Sequence, residues 1–250
     1  LGLKALLVEQ RDFSWGTSSR SSKLVHGGIR YLKEGKLRLT LTSVQERERL
    51  MEEGPGLIDP LGFLLATYKG DFPGKWTYGA GLTIYDLLAL QWSHTYYSAA
   101  DFELLAPRIA RKGLKGGWRY GDAQTDDARL VLRVIFEALL DGGTALNYCR
   151  ADTVLREEGH VTGVRLQDTL TGRNAEARAQ VVVNATGAWA DALRAQVGAA
   201  PRIRPLRGSH LVFAAWRFPI AQAVSFLHPV DRRPVFIFPW EGITLVGTTD

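Results

Sequence analysis

The sequence predicts a mixed α/β fold, parallel strands and helices in one part and an antiparallel sheet in another, and three observations predict it. The run LKALLVE at 3–9 is apolar and ends in an acid, the pattern of a buried parallel strand that stops at a ligand-facing edge. The run DARLVLRVIFEALLDGG at 127–143 carries apolar residues at helical spacing and closes on two glycines. In the last fifty residues Pro201, Pro205, Pro219, Pro229, Pro234 and Pro239 separate β-rich stretches such as SHLVFAAW and RPVFIFPW, as in an antiparallel sheet punctuated by turns.

The first strand is followed by a helix over 37–53, where Leu39, Leu41, Val44, Leu50 and Met51 recur among Gln, Glu and Arg until Gly54-Pro55-Gly56 stops the pattern. From Leu57 to Tyr120 aromatic residues and glycines multiply and the periodicity is mixed, which suggests an inserted, substrate-facing region. Asp126-Asp127 caps the second helix, with Leu130, Val131, Val134, Ile135, Ala138 and Leu139 on its apolar face. Three alternating segments at 151–156, 161–168 and 175–179, parted by Glu158-Gly159 and Thr171-Gly172, predict a β-meander. The meander leads into a further buried strand, Val181-Val182-Val183-Asn184.

Bulk properties narrow the function. A chain of 250 residues holds one large domain or two modest ones, and 46% hydrophobic with 23% charged residues is the balance of a globular protein. The single cysteine, Cys149, allows no internal disulfide and no thiolate cluster. No metal is therefore expected, and redox chemistry would need an organic cofactor. The net charge of +5 comes from scattered Lys and Arg with no dense basic run, so nucleic acid is not indicated. No apolar stretch approaches the ~20 residues that span a bilayer, leaving peripheral membrane contact as the one kind expected. The chain opens at Leu1 and stops at Asp250 in GTTD, which reads as a fragment.

Three features carry chemistry. Glu9, at the carboxyl end of its strand, stands where dinucleotide-binding folds place the acid that hydrogen-bonds a ribose. In VVVNATGAWAD at 181–191 small residues and Gly187 let backbone approach a flat cofactor closely. The densest is TSSRSSKLVHGGIRYL at 17–32, which packs Ser and Thr hydroxyls, two glycines, Lys23, His26, Arg30 and Tyr31 together. Hydroxyls and open amides suit a pyrophosphate, and Arg30 offers a fork for phosphate or carboxylate.

SSKLVHGGIRYL, with DDARLVL at 126–132, VNATGAWAD at 183–191, RGSHLV at 207–212, VFIFPWEG at 235–242 and VGTTD at 246–250, resembles the FAD-dependent glycerol-3-phosphate dehydrogenases in order and spacing. HGG-x-RYL and DDARL are specific to that family, whereas the Glu-terminated strand and NATG are shared with the wider glutathione-reductase-like flavoproteins. The resemblance implies a glutathione-reductase-like FAD-binding Rossmann domain (1–53 and 126–197) with an antiparallel-sheet substrate or cap domain (54–125 and 198–250), truncated at both ends. The GxGxxG strand-turn would lie upstream of Leu1 and further cationic anchors beyond Asp250.

The resemblance also implies oxidation of sn-glycerol 3-phosphate to dihydroxyacetone phosphate, with electrons passed to a membrane quinone or, in a related branch, to oxygen. Glu9 then holds the ribose, Thr17, Ser18 and Lys23 line the cofactor, Leu24, His26 and Gly27 approach the isoalloxazine, and Thr186 and Gly187 flank it. Arg30 and Tyr31 face the substrate. The base is His26 or His210, or lies outside this chain; His94, His160 and His228 show no partner pattern. The implied setting is cytoplasmic and peripheral on the inner face of the cell membrane, where Trp76, Trp92 and Tyr96-Tyr97 could meet lipid, and a homodimer is compatible with it. Rival readings are an amine or amino-acid oxidase of the same fold, and a non-catalytic fragment.

Overall fold

The computed structural model describes residues 2–89 and 92–248, with the side chains of Arg30 and Lys33 outside the described atoms. The chain begins with β1 (Leu6–Val8), β2 (Leu24–Val25), α1 (Ile29–Lys33), α2 (Leu37–Glu53) and β3 (Ile58–Tyr68). It continues through α3 (Lys75–Ala89), β4 (Thr95–Ser98), α4 (Ala99–Leu105), β5 (Leu114–Thr125) and α5 (Asp127–Leu140). Then come β6 (Thr144–Leu146), β7 (Cys149–Glu157), β8 (His160–Asp168), β9 (Asn174–Arg178) and α6 (Ala190–Gln196). The last strands are β10 (His210–Ala214), β11 (Ala223–Leu227), β12 (Pro234–Trp240) and β13 (Ile243–Gly247). Two units result, residues 1–21 with 126–206 and residues 22–125 with 207–250. Residues 22–53 thus pack with the second unit, whereas the sequence groups them with the first strand.

In the first unit β1 pairs in parallel with β6, Leu6 opposite Thr144 and Val8 opposite Leu146. The predicted buried strand at 3–9 is shorter than expected and half open, with Leu6 46% and Leu7 45% exposed, because among the described residues only β6 lies beside it. The predicted strand at 181–184 does not form, and Val181 and Val183 are 74% and 80% exposed. A strand needs a partner to satisfy its amides and carbonyls, and no described strand pairs with this segment. The meander forms as predicted from β7, β8 and β9, and Glu158 and Gly159 make its first turn with positive φ of 48° and 84°, a type I′ arrangement. Helix α5 forms with the Asp126 carboxylate accepting from the Arg129 amide at its start. Its apolar face is covered only in part: Ile135 is buried while Val134 and Leu139 are open.

The second unit is built on one sheet, ordered β10-β13-β12-β11-β3-β5-β2, with β4 added on β5. All pairs are antiparallel except β11 with β3, so the sheet predicted for the last fifty residues continues into strands from the middle of the chain. Successive side chains on a strand point to opposite faces. Phe63 therefore enters one core with Val44, Leu82, Tyr85 and Phe238, and Leu64 enters the other with Phe102, Val224 and Ile237. The helix predicted at 37–53 matches α2, but it seats Thr40, Val44 and Arg47, at i, i+4 and i+7, and leaves Leu37 and Leu39 exposed. An arginine thus occupies a helix position that hydrophobic patterning assigns to the core.

Candidate active site

The register of β2 on β5 builds the site. Leu24 lies opposite Gln124 and Val25 opposite Ala123, so the next residue, His26, meets Asp122. Its Nδ1 lies 2.8 Å from Asp122 Oδ2. The other carboxylate oxygen, Oδ1, accepts from the Gly27 amide at 3.0 Å and from Arg47 at 3.1 Å. Both Asp122 and Arg47 are buried, which would be costly for either charge alone and is offset by pairing with hydrogen bonds on every side. Arg47 also donates to the Tyr85 hydroxyl at 2.7 Å, to the Gly121 carbonyl at 3.2 Å and to Glu48. Burial pulls its guanidinium down, but Tyr85, Asp122 and Glu48 outweigh that and the net shift is upward. Burial, then the Asp122 charge, push the Tyr85 phenol up, so it stays protonated.

The His26 ring rests against Phe63 and Phe236, at centroid distances of 5.7 and 5.8 Å. Its side chain is 37% exposed, and among the described residues Nε2 has no hydrogen bond. His210 stands on the same sheet face. It lies opposite Gly247, which lies opposite Phe236, and cross-strand partners share a face. Two strand spacings, roughly 10 Å, separate the backbones of His210 and Phe236. A Cβ at Gly247 would lie 2.7 Å from the His210 ring, so the missing side chain is what lets the imidazole lie across that strand. Partial burial, then the nearby Lys23 charge, lower the His210 pKa and favour its neutral form. Lys23 is itself buried, adopts a φ of 57° and holds its ammonium 4.7 Å from the Trp240 ring centroid.

The other sequence-predicted residues separate by unit. Leu24, Gly27, Arg30 and Tyr31 lie with His26 in the second unit; Arg30 and Tyr31 are on α1, and the Arg30 side chain lies outside the described atoms. Glu9, Thr17, Ser18, Thr186 and Gly187 lie in the first. There Glu9 accepts from the Arg11 amide at 2.9 Å, Thr17 and Ser18 are exposed, and Thr186 Oγ1 donates to Asn184 at 2.7 Å. Asp127 of the DDARL motif accepts from the Ser21 amide and hydroxyl at 3.1 and 2.7 Å, so two motifs 106 residues apart are physically joined. His94 has a partner after all: its Nδ1 lies 2.6 Å from the buried Asp86, which makes it a scaffold residue. His228 likewise pairs with Asp231 at 2.9 Å.

Sequence reasoning missed Asp122 and Arg47. A signal for Asp122 existed, since an acid between Gly121 and Ala123 sits at a strand position that alternation with Tyr120 assigns to burial. For Arg47 the position alone carried a signal, three residues after Val44 on the buried stripe of α2, whereas the residue type did not, because an Arg within QERER reads as solvated helix surface.

The whole chain, residues 1–250, matches the family model described as FAD dependent oxidoreductase. It is 41% identical over its full length to the aerobic glycerol-3-phosphate dehydrogenase of Bacillus subtilis (strain 168) and 40% identical to that of Staphylococcus aureus (strain USA300), covering 46% of each. Among solved structures it is similar to the glycerol-3-phosphate dehydrogenase from Bacillus halodurans complexed with FAD, with a TM-score of 0.77 and 33% identity, covering 100% of this chain and 43% of that one. L-proline dehydrogenase from P. horikoshii shares the fold, with a TM-score of 0.70 at 18% identity over 100% of this chain and 64% of that one. The chain spans about half the length of the curated relatives it matches.

Proposed function

This chain belongs to the FAD-dependent oxidoreductase family, and from that membership we propose that the full protein oxidises the C2 hydroxyl of sn-glycerol 3-phosphate to dihydroxyacetone phosphate. The observation that carries the reading is His26, held by a buried carboxylate and open at Nε2, in a chain that resembles named glycerol-3-phosphate dehydrogenases along its whole length. The amino-acid oxidase reading has weaker support, since such neighbours are 11–20% identical and speak for the fold alone.

The residues present fit FAD. In the first unit Ser14 Oγ is buried with no hydrogen-bond partner among the described residues, Thr17 and Ser18 are exposed, and Gly187 stands at φ 56° with nothing within 4 Å of where a side chain would begin. This uncrowded set of donors suits a ribose and pyrophosphate, and Glu9 at the end of β1 suits the ribose hydroxyls. In the second unit Lys23, Leu24, His26 and Gly27 are the cofactor-facing candidates. FAD held by these residues would supply a two-electron acceptor for the hydride that leaves C2 of the substrate.

The rest is the work of the chain. Arg30 and Tyr31 bind the substrate phosphate, the guanidinium as a two-pronged donor. His26 Nε2 accepts the C2 hydroxyl proton, and the Asp122 carboxylate stabilises the imidazolium that results. His210, kept neutral by partial burial and Lys23, hydrogen-bonds the substrate and is the second candidate for the base. Among the described residues no helix is long and apolar enough to cross a membrane. A quinone as electron acceptor belongs to the same proposal, and the peripheral membrane contact it requires is supported by the exposed Phe72, Trp76 and Trp92 of the second unit.

The test is an anaerobic titration of the full-length protein, followed by its visible flavin spectrum. Glycerol 3-phosphate bleaches the band and sarcosine and D-amino acids do not; a colourless protein, or bleaching by amino acids alone, overturns the proposal.

A further inference from the structure

We propose that Asp122 is the positioning residue of the reaction, setting the tautomer of His26. The inference rests on His26 acting as base and assigns what makes it one. A carboxylate only accepts hydrogen bonds. At 2.8 Å from Asp122 Oδ2, His26 Nδ1 therefore carries its proton, and in the neutral ring the lone pair is on Nε2, the nitrogen with no partner among the described residues.

The carboxylate itself cannot turn away. Its Oδ1 is held by two donors from different elements, the Gly27 amide and the Arg47 guanidinium of α2. Arg47 is fixed in turn by Tyr85 of α3 and the Gly121 carbonyl. The residue after His26 and helix α2 thus hold one carboxylate of β5, with α3 bracing the arginine, and its remaining oxygen faces the histidine.

Asp122→Asn separates positioning from packing, because it is isosteric. The two donors at Oδ1 require the amide oxygen there, which leaves the amide NH2 facing His26 Nδ1. Nδ1 must then accept, and the proton moves to Nε2. A base becomes a donor with little change in shape.

The experiment uses full-length, FAD-loaded protein labelled with 15N-histidine, the His26 signals being assigned by their loss in His26→Gln. Wild type is expected to show Nδ1 protonated and Nε2 bare, and Asp122→Asn the reverse. In parallel, Asp122→Asn lowers the rate of flavin reduction by glycerol 3-phosphate on the order of 10²-fold with flavin content retained, as for a misplaced catalytic group. In the His26→Gln background the same change costs less than about twofold, since a residue acting through another has nothing left to act on.

A wild-type spectrum with the proton on Nε2, an unchanged tautomer in Asp122→Asn, or an equal loss in both backgrounds would overturn the assignment. The wild-type spectrum decides even where the variant does not fold. If His26→Gln reduces flavin at the wild-type rate, the base reading fails by itself, and the spectra still decide whether Asp122 sets the tautomer.

Discussion

At Gly27 there is no room for a methyl group, since a Cβ there would lie 1.8 Å from the Tyr85 hydroxyl and 2.8 Å from Arg47. At Gly28 the backbone has a φ of 83° at the start of α1, a conformation that glycine adopts without strain. The pair of glycines after His26 was therefore legible in the sequence as a constraint, although its cause, the buried Arg47–Tyr85 pair, was not. His210 yields a prediction of definite sign. Its folded pKa is depressed by burial and then by Lys23, so at acid pH the unfolded chain binds the extra proton more readily. Stability from this site is present above the unfolded value of roughly 6.5 and declines as pH falls below it. Thermal melts of wild type and His210→Gln on a pH series should show the difference in Tm moving in favour of the variant as the solution is acidified. A difference independent of pH would remove Lys23 and burial as influences on this ring.

Among the elements, α2 and α5 were legible because their signals are local: Gly54 ends one, and Asp126 and Gly142 bracket the other. The Asp126 cap is testable. Asp126→Ala removes the acceptor for the Arg129 amide and should cost about 1 kcal/mol in denaturant unfolding. A loss below a few tenths would mean that water satisfies the amide equally well. Strand predictions fared according to how local their partners are. The meander closes on tight turns and was legible. The run of valines at 181–184 predicts a buried strand, yet a strand exists only where another offers hydrogen bonds, and composition does not report that. Pairing at long range also hid Asp122, which reaches His26 across 96 residues of sequence.

For the molecule as a whole, the parts assign separate tasks. The first unit holds Glu9, Thr17, Ser18 and Gly187, which we propose for the dinucleotide, and the second holds His26, His210 and Tyr31, which we propose for substrate and proton. The family was legible because motifs such as HGGIRYL record dense local constraints: the α1 turn, the absence of a Cβ at Gly27, and the histidine on the edge of the sheet. The network behind that histidine was not, since its members come from β5, α2 and α3 and meet only in the folded unit. The role proposed for His26, so held, is to remove the substrate proton as flavin is reduced. Anaerobic rapid mixing of the full-length protein with glycerol 3-phosphate, wild type against His26→Gln at matched flavin content, tests it most directly. Flavin reduction in the variant should be slower by roughly 10²–10⁴-fold, the range for loss of a general base; reduction at the wild-type rate would exclude His26 as the base.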